Sequence, residues 1–250
     1  MVTAGLADTL VLAHRNLRRL LRTPRLIVLS TVQPVLFFLL YLWVFGGAVD
    51  TPGMSYLDYL MPAVVVQAIL TGGTTAVAVA VDLHSGMVDR FRSLPIDAWT
   101  ILAGRTIADL TRAAFVTALL VGLGFALGYG LDNDPLWILC APLLMLVFAF
   151  LVSWLLVLVG VIVGDPETAQ LAGLLLLPLL FASSAFVPIS TMPDWLQPFA
   201  ENQPVNVAVT ALRTMTQGGD AAHWAWLSIA WAAAGAAILI PVATIAFGRR

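Results

Sequence analysis

The sequence contains no lysine, one cysteine and few charged residues of any kind. Charged residues make up 10% of the 250 residues, whereas a soluble globular domain carries roughly 25%. Hydrophobic residues make up 60%. A water-soluble domain of this length could not bury that much apolar surface, so the composition predicts a membrane protein whose outer faces are solvated by lipid.

These absences also exclude several kinds of site. The phosphate-binding loop of ATPases requires a lysine, so any ATP hydrolysis must come from a different polypeptide. The single cysteine, Cys140, excludes an internal disulfide and a cysteine-based metal cluster. The histidines His14, His84 and His223 are far apart, and no nucleophile elbow or zinc-protease motif occurs. We therefore predict no catalytic residue, metal site or cofactor in this chain, and no nucleic-acid partner.

Apolar runs long enough to cross a bilayer recur six times. A helix needs ~20 residues to cross a hydrocarbon core of ~30 Å, and these runs lack the alternation of barrel strands. The sequence thus predicts an all-α polytopic fold with a single membrane domain over residues 26–247. The six predicted spans are Leu26–Phe45, Leu60–Val81, Ala113–Leu131, Leu136–Val163, Leu171–Pro188 and Trp224–Phe247.

The arginines indicate the orientation of these spans. With six spans, eleven of the twelve arginines fall on one side, and only Arg213 falls on the other. Because basic residues accumulate on the cytoplasmic side, we predict a plasma-membrane protein with both termini, including the tail 248–250, in the cytoplasm. The short loop with Asp165 and Glu167 is an acidic exception on that side. The all-arginine, alanine-rich composition suggests a GC-rich bacterium.

Residues 1–25 combine arginines and leucines at helical spacing on different faces. This pattern predicts an amphipathic helix that lies in the membrane interface, where each arginine near anionic lipid contributes about 1 kcal/mol. The basic face is either a topogenic anchor or a docking surface for a cytoplasmic partner. Its residues are Arg15, Arg18, Arg19 and Arg22.

The segment between the second and third predicted spans is too long and too mixed in character to be a simple turn. A short helix over Met87–Leu94, ended by Pro95, would present Phe91 as an apolar knob among charged residues. From the residues alone, this loop is either a solvated connection or a docking element.

Three charged residues follow the loop at helical spacing. Arg105, Asp109 and Arg112 are four and three residues apart, so they can pair along one helix face. A charge at mid-bilayer costs at least ~2.5–3.5 kcal/mol, so we expect this charge cluster at the membrane boundary. No predicted span contains an acidic residue, which argues against a proton-driven transporter.

The segment from Pro188 to His223, predicted to be external, is rich in proline and aromatic residues. Val205–Met215 is predicted to form a short apolar helix. These pieces either dip into the outer leaflet and return, with other helices covering their backbone, or form an external loop anchored by Trp195.

The loop also carries a family resemblance. The pattern Asp82-x-x-x-Gly86-x-x-Asp89-Arg90-Phe91-Arg92-Ser-Leu-Pro95, followed by Gly104-Arg105 and Asp109-Leu110, resembles type-2 ABC exporter permeases, especially the daunorubicin-resistance branch. The order of segments fits over nearly the whole chain. Met87 departs from the pattern, since the family often has threonine after the glycine.

The resemblance implies that the loop contains a coupling helix seated in a cleft of a separate ATP-binding subunit, with Phe91 and Arg92 as the preferred contacts. It implies two such subunits, which hold ATP and Mg, and a second permease subunit, identical or paralogous. It also implies re-entrant helices that line the exit, with Trp195, Phe199 and Arg213 as candidate gate residues. The coupling residues implied are Gly86, Met87, Asp89, Arg90, Phe91, Arg92, Leu94 and Pro95.

We therefore predict the transmembrane subunit of an ATP-driven exporter for an amphipathic or apolar compound, such as a drug, an antibiotic or a lipid-like metabolite. The spans offer few charges to hold an ion or a sugar. Two alternatives stay open: a permease for polysaccharide or glycolipid export, and a non-transporting membrane scaffold or sensor.

Overall fold

The computed structural model describes residues 24–49, 51, 53–71, 75–85 and 98–249, with side chains from residue 31 onward apart from residues 98 and 99. Arg15, Arg18, Arg19 and Arg22 and the coupling residues 86–95 lie outside the described residues. No strand occurs in the described part of the chain. Its α-helices are α1 (Pro24–Phe45), α2 (Tyr56–Thr71), α3 (Thr75–His84), α4 (Ala98–Ala126), α5 (Pro135–Val163), α6 (Pro166–Leu174), α7 (Leu177–Phe181), α8 (Gln197–Asn202), α9 (Pro204–Gln217) and α10 (Ala221–Arg249).

Four stretches of the described chain are long and apolar enough to cross a membrane. The segments predicted as the first and fifth spans contain the shorter apolar helices Thr31–Phe45 and Pro166–Phe181. The all-α polytopic membrane fold is thus confirmed, while the count of six spans stays a prediction. The four stretches are Tyr56–His84, Thr100–Ala126, Pro135–Val163 and Ala221–Arg249.

Two predicted spans differ from the observed helices. Helix α4 begins at Ala98, well before the predicted start at Ala113, and it continues through the charged positions. The predicted fifth span is not one helix: α6 ends at Leu174, α7 covers only Leu177–Phe181, and the chain then turns. Pro178 has no backbone N–H to continue the ladder, which is one physical reason for the break.

Local capping sets the bounds of α5 and α6. The Asp134 carboxylate accepts a hydrogen bond from the Leu136 N–H at 2.8 Å, and Gly164 ends α5 in the left-handed conformation with φ of 70°. The Asp165 carboxylate accepts one from the Thr168 N–H at 2.8 Å, and this bond lowers the pKa of Asp165. Helix capping therefore accounts for Asp165 in this acidic loop.

Helix α2 lies at the centre of the bundle. Nearly all of its side chains are buried, and it is apolar on every side, as expected for a helix surrounded by others. In contrast, α1, α5 and α10 carry large apolar side chains that remain exposed, including Trp43, Leu139 and Trp226. In a membrane protein these outward faces contact lipid or another subunit rather than water.

Gly160 permits close approach of α3 and α5, and its substitution tests this packing. A Cβ at this position would lie 2.5 Å from the Ala76 carbonyl oxygen and 2.9 Å from the Val79 Cβ. We expect Gly160→Ala to destabilise the protein by about 1–3 kcal/mol, because backbone must shift to relieve the clash. Thermal unfolding in detergent, followed by tryptophan fluorescence, measures the effect.

Gly122→Ala is the control, because Gly122 is also helical but exposed, and nothing lies within 4 Å of the added Cβ. Alanine there gains up to about 1 kcal/mol of helix propensity. Equal melting temperatures for Gly160→Ala and Gly122→Ala would contradict the close packing of α3 on α5.

Candidate functional site

Two groups of polar side chains lie inside the bundle, one toward each end. The first, the Arg213 cluster, consists of Tyr59, Ser184, Gln203, Asn206 and Arg213. It lies near the α4–α5 connection, the end that the arginine distribution predicts to be external. The second, the Asp109 cluster, consists of Thr75, Asp82, Arg105, Asp109 and Ser153 and lies toward the end where α3 stops and α4 starts.

Arg213 joins three separate segments of the chain. Its Nη2 donates to the Tyr59 carbonyl at 3.0 Å and to the Ser184 carbonyl at 2.8 Å, and its Nη1 donates to the Ser184 hydroxyl at 3.2 Å. The guanidinium carbon also lies 3.8 Å from the centroid of the Tyr59 ring. These contacts tie α9 to α2 and to the turn after α7, so the buried charge is stabilised by carbonyl dipoles and an aromatic face.

Asn206 and Gln203 satisfy the backbone of the same irregular segment. The Ser184 N–H donates to the Asn206 side-chain oxygen at 2.8 Å, and the Asn206 amide donates to the Glu201 carbonyl at 3.0 Å. The Gln203 amide donates to the Leu179 carbonyl at 2.8 Å and to the Ala182 carbonyl at 3.2 Å. Backbone polar groups left free by the broken helix therefore find partners inside the protein, as a membrane environment requires.

The structure does not bring the three candidate gate residues together. Arg213 is buried, whereas Trp195 and Phe199 are 77% and 50% exposed. None of the Arg213 hydrogen bonds involves either aromatic residue. Arg213 thus holds the fold of this end, and a gating role for the three residues stays a prediction.

The Asp109 cluster connects α3, α4 and α5. The Asp109 carboxylate accepts hydrogen bonds from the Thr75 hydroxyl and, at 3.0 Å, from the Ser153 hydroxyl. Closer to the end of α3, Arg105 donates to Asp82 across an ion pair of 3.0 Å. Of the predicted charge cluster, Arg105 therefore pairs with α3, and Asp109 contacts neighbouring helices.

Asp109 lies inside a helix of membrane-spanning length, and the predicted position of the charge cluster at the membrane boundary stays a prediction. Asp109 occupies the twelfth position of a 29-residue helix and is half-buried. Three residues later, Arg112 is 8% exposed, and its Nε and Nη1 atoms have no hydrogen-bond partner among the described residues. The predicted trio thus shares one helix, and no ion pair joins Asp109 to Arg112 within the described chain.

Sequence reasoning identified some of these residues but not their partners. In the sequence, Ser153 and Ser184 are polar residues within apolar runs, and Asn206 is a similarly isolated polar residue in the apolar stretch Val205–Met215. Nothing in the local sequence distinguishes Tyr59, because its partner Arg213 is 154 residues away. Tyr59 contacts that arginine through both its carbonyl and its ring. An apolar run with one arginine and one asparagine is the pattern that could have indicated a buried polar cluster.

Substitution of Arg213 tests its structural role. We expect Arg213→Lys to lower the free energy of unfolding by about 1–3 kcal/mol, because one ammonium cannot replace the donors that reach both carbonyls and stack on Tyr59. Thermal unfolding in detergent and proteolysis of the segment 182–203 measure the change. The control is Arg249→Lys at an exposed position; equal effects of the two substitutions would contradict the role assigned to Arg213.

Comparison with known proteins identifies the family. A family model described as ABC-2 type transporter matches residues 7–216. The daunorubicin resistance ABC transporter permease protein DrrB1 of Streptomyces coeruleorubidus is 36% identical over 195 residues, which cover 77% of this chain and 69% of that protein. The probable doxorubicin resistance ABC transporter permease protein DrrC of Mycobacterium tuberculosis is 30% identical over 224 residues, covering 85% and 78% respectively. This chain therefore belongs to the ABC-2 type transporter permease family.

Proposed function

We propose that this chain is the transmembrane subunit of an ATP-driven exporter that moves an amphipathic or apolar compound out of the cytoplasm. A separate ATP-binding subunit, in two copies, supplies the energy. A second permease subunit, identical or paralogous, completes the membrane part. The family membership of the chain and the permease names of its relatives support this proposal.

The observation that carries the proposal is the way α3 is tied to its neighbours. The predicted coupling segment 86–95 connects α3 to α4, and the Asp82–Arg105 ion pair joins those two helices beside it. Farther along α3, Thr75 reaches Asp109 of α4, which also holds Ser153 of α5. A displacement applied to the loop would therefore move α3, α4 and α5 together rather than bend one helix.

These ties explain how ATP binding in a partner could bias the membrane part between two states. The ligand must interact differently with the two states in order to shift their populations. A partner that closes on the coupling segment meets this requirement, because its cleft binds the loop more tightly in one of the two states than in the other. The ion pair and the Asp109 hydrogen bonds then transmit that preference from the loop to α3, α4 and α5.

The apolar interior of the bundle and the names of the relatives support the cargo that we propose. Among the described residues, the side chains inside the bundle are mostly apolar, and the few polar ones largely bond to one another or to backbone. The relatives are named for resistance to daunorubicin and doxorubicin. We therefore assign an amphipathic or apolar drug-like cargo.

Paired substitution of Phe91 and Arg92 tests the coupling role. We expect Phe91→Ala with Arg92→Ala to insert into the membrane normally but to lose export, because the apolar knob and its charge no longer fit the partner's cleft. Doxorubicin efflux from cells, and ATPase activity of the reconstituted complex, measure the change. Co-purification with the ATP-binding subunit reports whether binding is lost as well.

The control pair is Phe115→Ala with Arg249→Ala. Both side chains are exposed, Phe115 by 52%, and neither belongs to the predicted coupling segment, so this pair removes the same residue types while leaving that segment unchanged. Unchanged cargo-dependent ATPase activity in the Phe91–Arg92 variant would remove the coupling assignment. Failure to co-purify any ATP-binding subunit from the native host would contradict the proposed complex.

A double-mutant cycle on Asp82 and Arg105 tests the tie between α3 and α4. Both side chains are mostly buried, at 16% and 17% exposed, so either single substitution to alanine leaves a charge without this partner. We expect a coupling energy of about 1 kcal/mol in unfolding and a loss of export in each single variant. Additive effects on the free energy of unfolding, with export retained in both single variants, would show that the ion pair does not couple α3 to α4.

A further inference from the structure

An apolar cavity of about 230 Å³ lies between α2, α4, α5 and α9, apart from both polar clusters. Its floor is buried: Met61, Val65, Ala141 and Met145 are each at most 3% exposed. For comparison, an engineered apolar cavity of about 150 Å³ stays dry and binds benzene. This cavity is therefore large enough for an apolar ligand and too apolar to be filled by ordered water.

The cavity opens where α4 ends and the α4–α5 connection begins. Its rim includes Phe125, 48% exposed, and Leu131, 39% exposed. Beside the opening, Leu139 and Leu143 of α5 are 73% and 61% exposed. Phe125, Leu139 and Leu143 belong to helices of membrane-spanning length, and Leu131 lies in the connection just after α4, so the hydrocarbon of the membrane would lie against this opening.

The shape of the cavity favours one class of ligand. On α4 the lining residues run from Thr117 to Phe125, and on α5 from Ile138 to Met145. Eight and seven helical steps correspond to roughly 10–12 Å along the bundle axis. One leaflet contributes about half of a ~30 Å hydrocarbon core, so the cavity extends over most of a leaflet in the direction in which lipid chains lie.

The polar groups at the cavity offer little to a headgroup or to a polar drug. Thr216 lines the cavity, but its hydroxyl donates to the Leu212 carbonyl of its own helix at 2.9 Å. The α4–α5 connection above it is held by its own contacts, such as the Gln217 amide donating to the Gly130 carbonyl at 2.8 Å. The lining thus matches an aliphatic chain and leaves the headgroup outside.

From this geometry we propose that the cavity binds one acyl chain of a membrane phospholipid, which enters between α4 and α5 from the leaflet at the α4–α5 connection. The acyl chain packs against α2, the central helix, and beneath α9. This lipid site is independent of the proposed cargo and of the partner ATPase. It stabilises the end of the bundle that contains the Arg213 cluster, because α9 lines both.

Photochemical labelling of the full chain in nanodiscs tests the site. The discs contain phosphatidylethanolamine and phosphatidylglycerol with a small fraction of phosphatidylcholine that carries a diazirine in its acyl chain. We expect adducts on Met61 and Met145, which lipid outside the cavity cannot reach because both side chains are buried. Adducts on Leu139 and Leu143 report ordinary contact with bulk lipid.

Two variants that fill the cavity provide the comparison. We expect Ala141→Phe and Val121→Phe each to reduce the adducts on Met61 and Met145 about tenfold, which corresponds to a loss of ~1.4 kcal/mol in binding. Adducts on Leu139 and Leu143 should not change. The control is Ala237→Phe, the same kind of enlargement on an exposed face of α10, which does not line the cavity.

Several results would overturn the proposal. One is the absence of adducts on Met61 and Met145 in the unsubstituted chain. Another is the persistence of these adducts in Ala141→Phe or Val121→Phe, measured in whichever variant remains monodisperse. Displacement of the adducts by doxorubicin would assign the cavity to cargo instead. Disulfide formation between two copies of Val121→Cys in a Cys140→Ser background would assign the opening to a second subunit.

Discussion

Every backbone polar group inside a bilayer must find its partner within the protein, and this constraint governs the irregular parts of the bundle. Its effect is clearest where the chain is not helical. Between α7 and α9 the backbone turns through several residues, and Arg213, Gln203 and Asn206 supply donors and acceptors to it. Without these side chains, the free carbonyls would each cost several kcal/mol in hydrocarbon.

The two polar clusters meet this constraint in different ways. In the Arg213 cluster a rigid planar guanidinium donates to backbone carbonyls, which cannot move unless the fold changes. In the Asp109 cluster the partners of the carboxylate are two hydroxyls and lie on separate helices. A hydroxyl rotates about its C–O bond at low cost, so α3, α4 and α5 can shift together while the Asp109 carboxylate remains paired. The chemistry of the clusters thus suits one fixed end and one movable end.

The sequence predicted the features that depend on neighbouring residues. The long apolar run of α5 and its limits at Asp134 and Gly164 are local signals, and the observed helix agrees with the prediction within one residue. The start of α4 was predicted too late in the chain, because a span predicted from hydropathy stops where charged residues begin. Asp109 remains inside the helix because Thr75 and Ser153, 34 and 44 residues away, satisfy its carboxylate. Contacts of that range leave no periodic pattern in a single sequence.

The central position of α2 connects these observations. Tyr59, near its start, receives Arg213, while Met61 and Val65 form the floor of the apolar cavity. The chain continues from α2 toward α3, which carries Thr75 and Asp82 of the other cluster. One end of the stretch Tyr56–His84 is therefore held by carbonyl contacts and the other by polar ties to α4 and α5. Between these two sets of polar contacts, Met61 and Val65 pack through apolar atoms beside the cavity, and such contacts can shift without breaking a hydrogen bond.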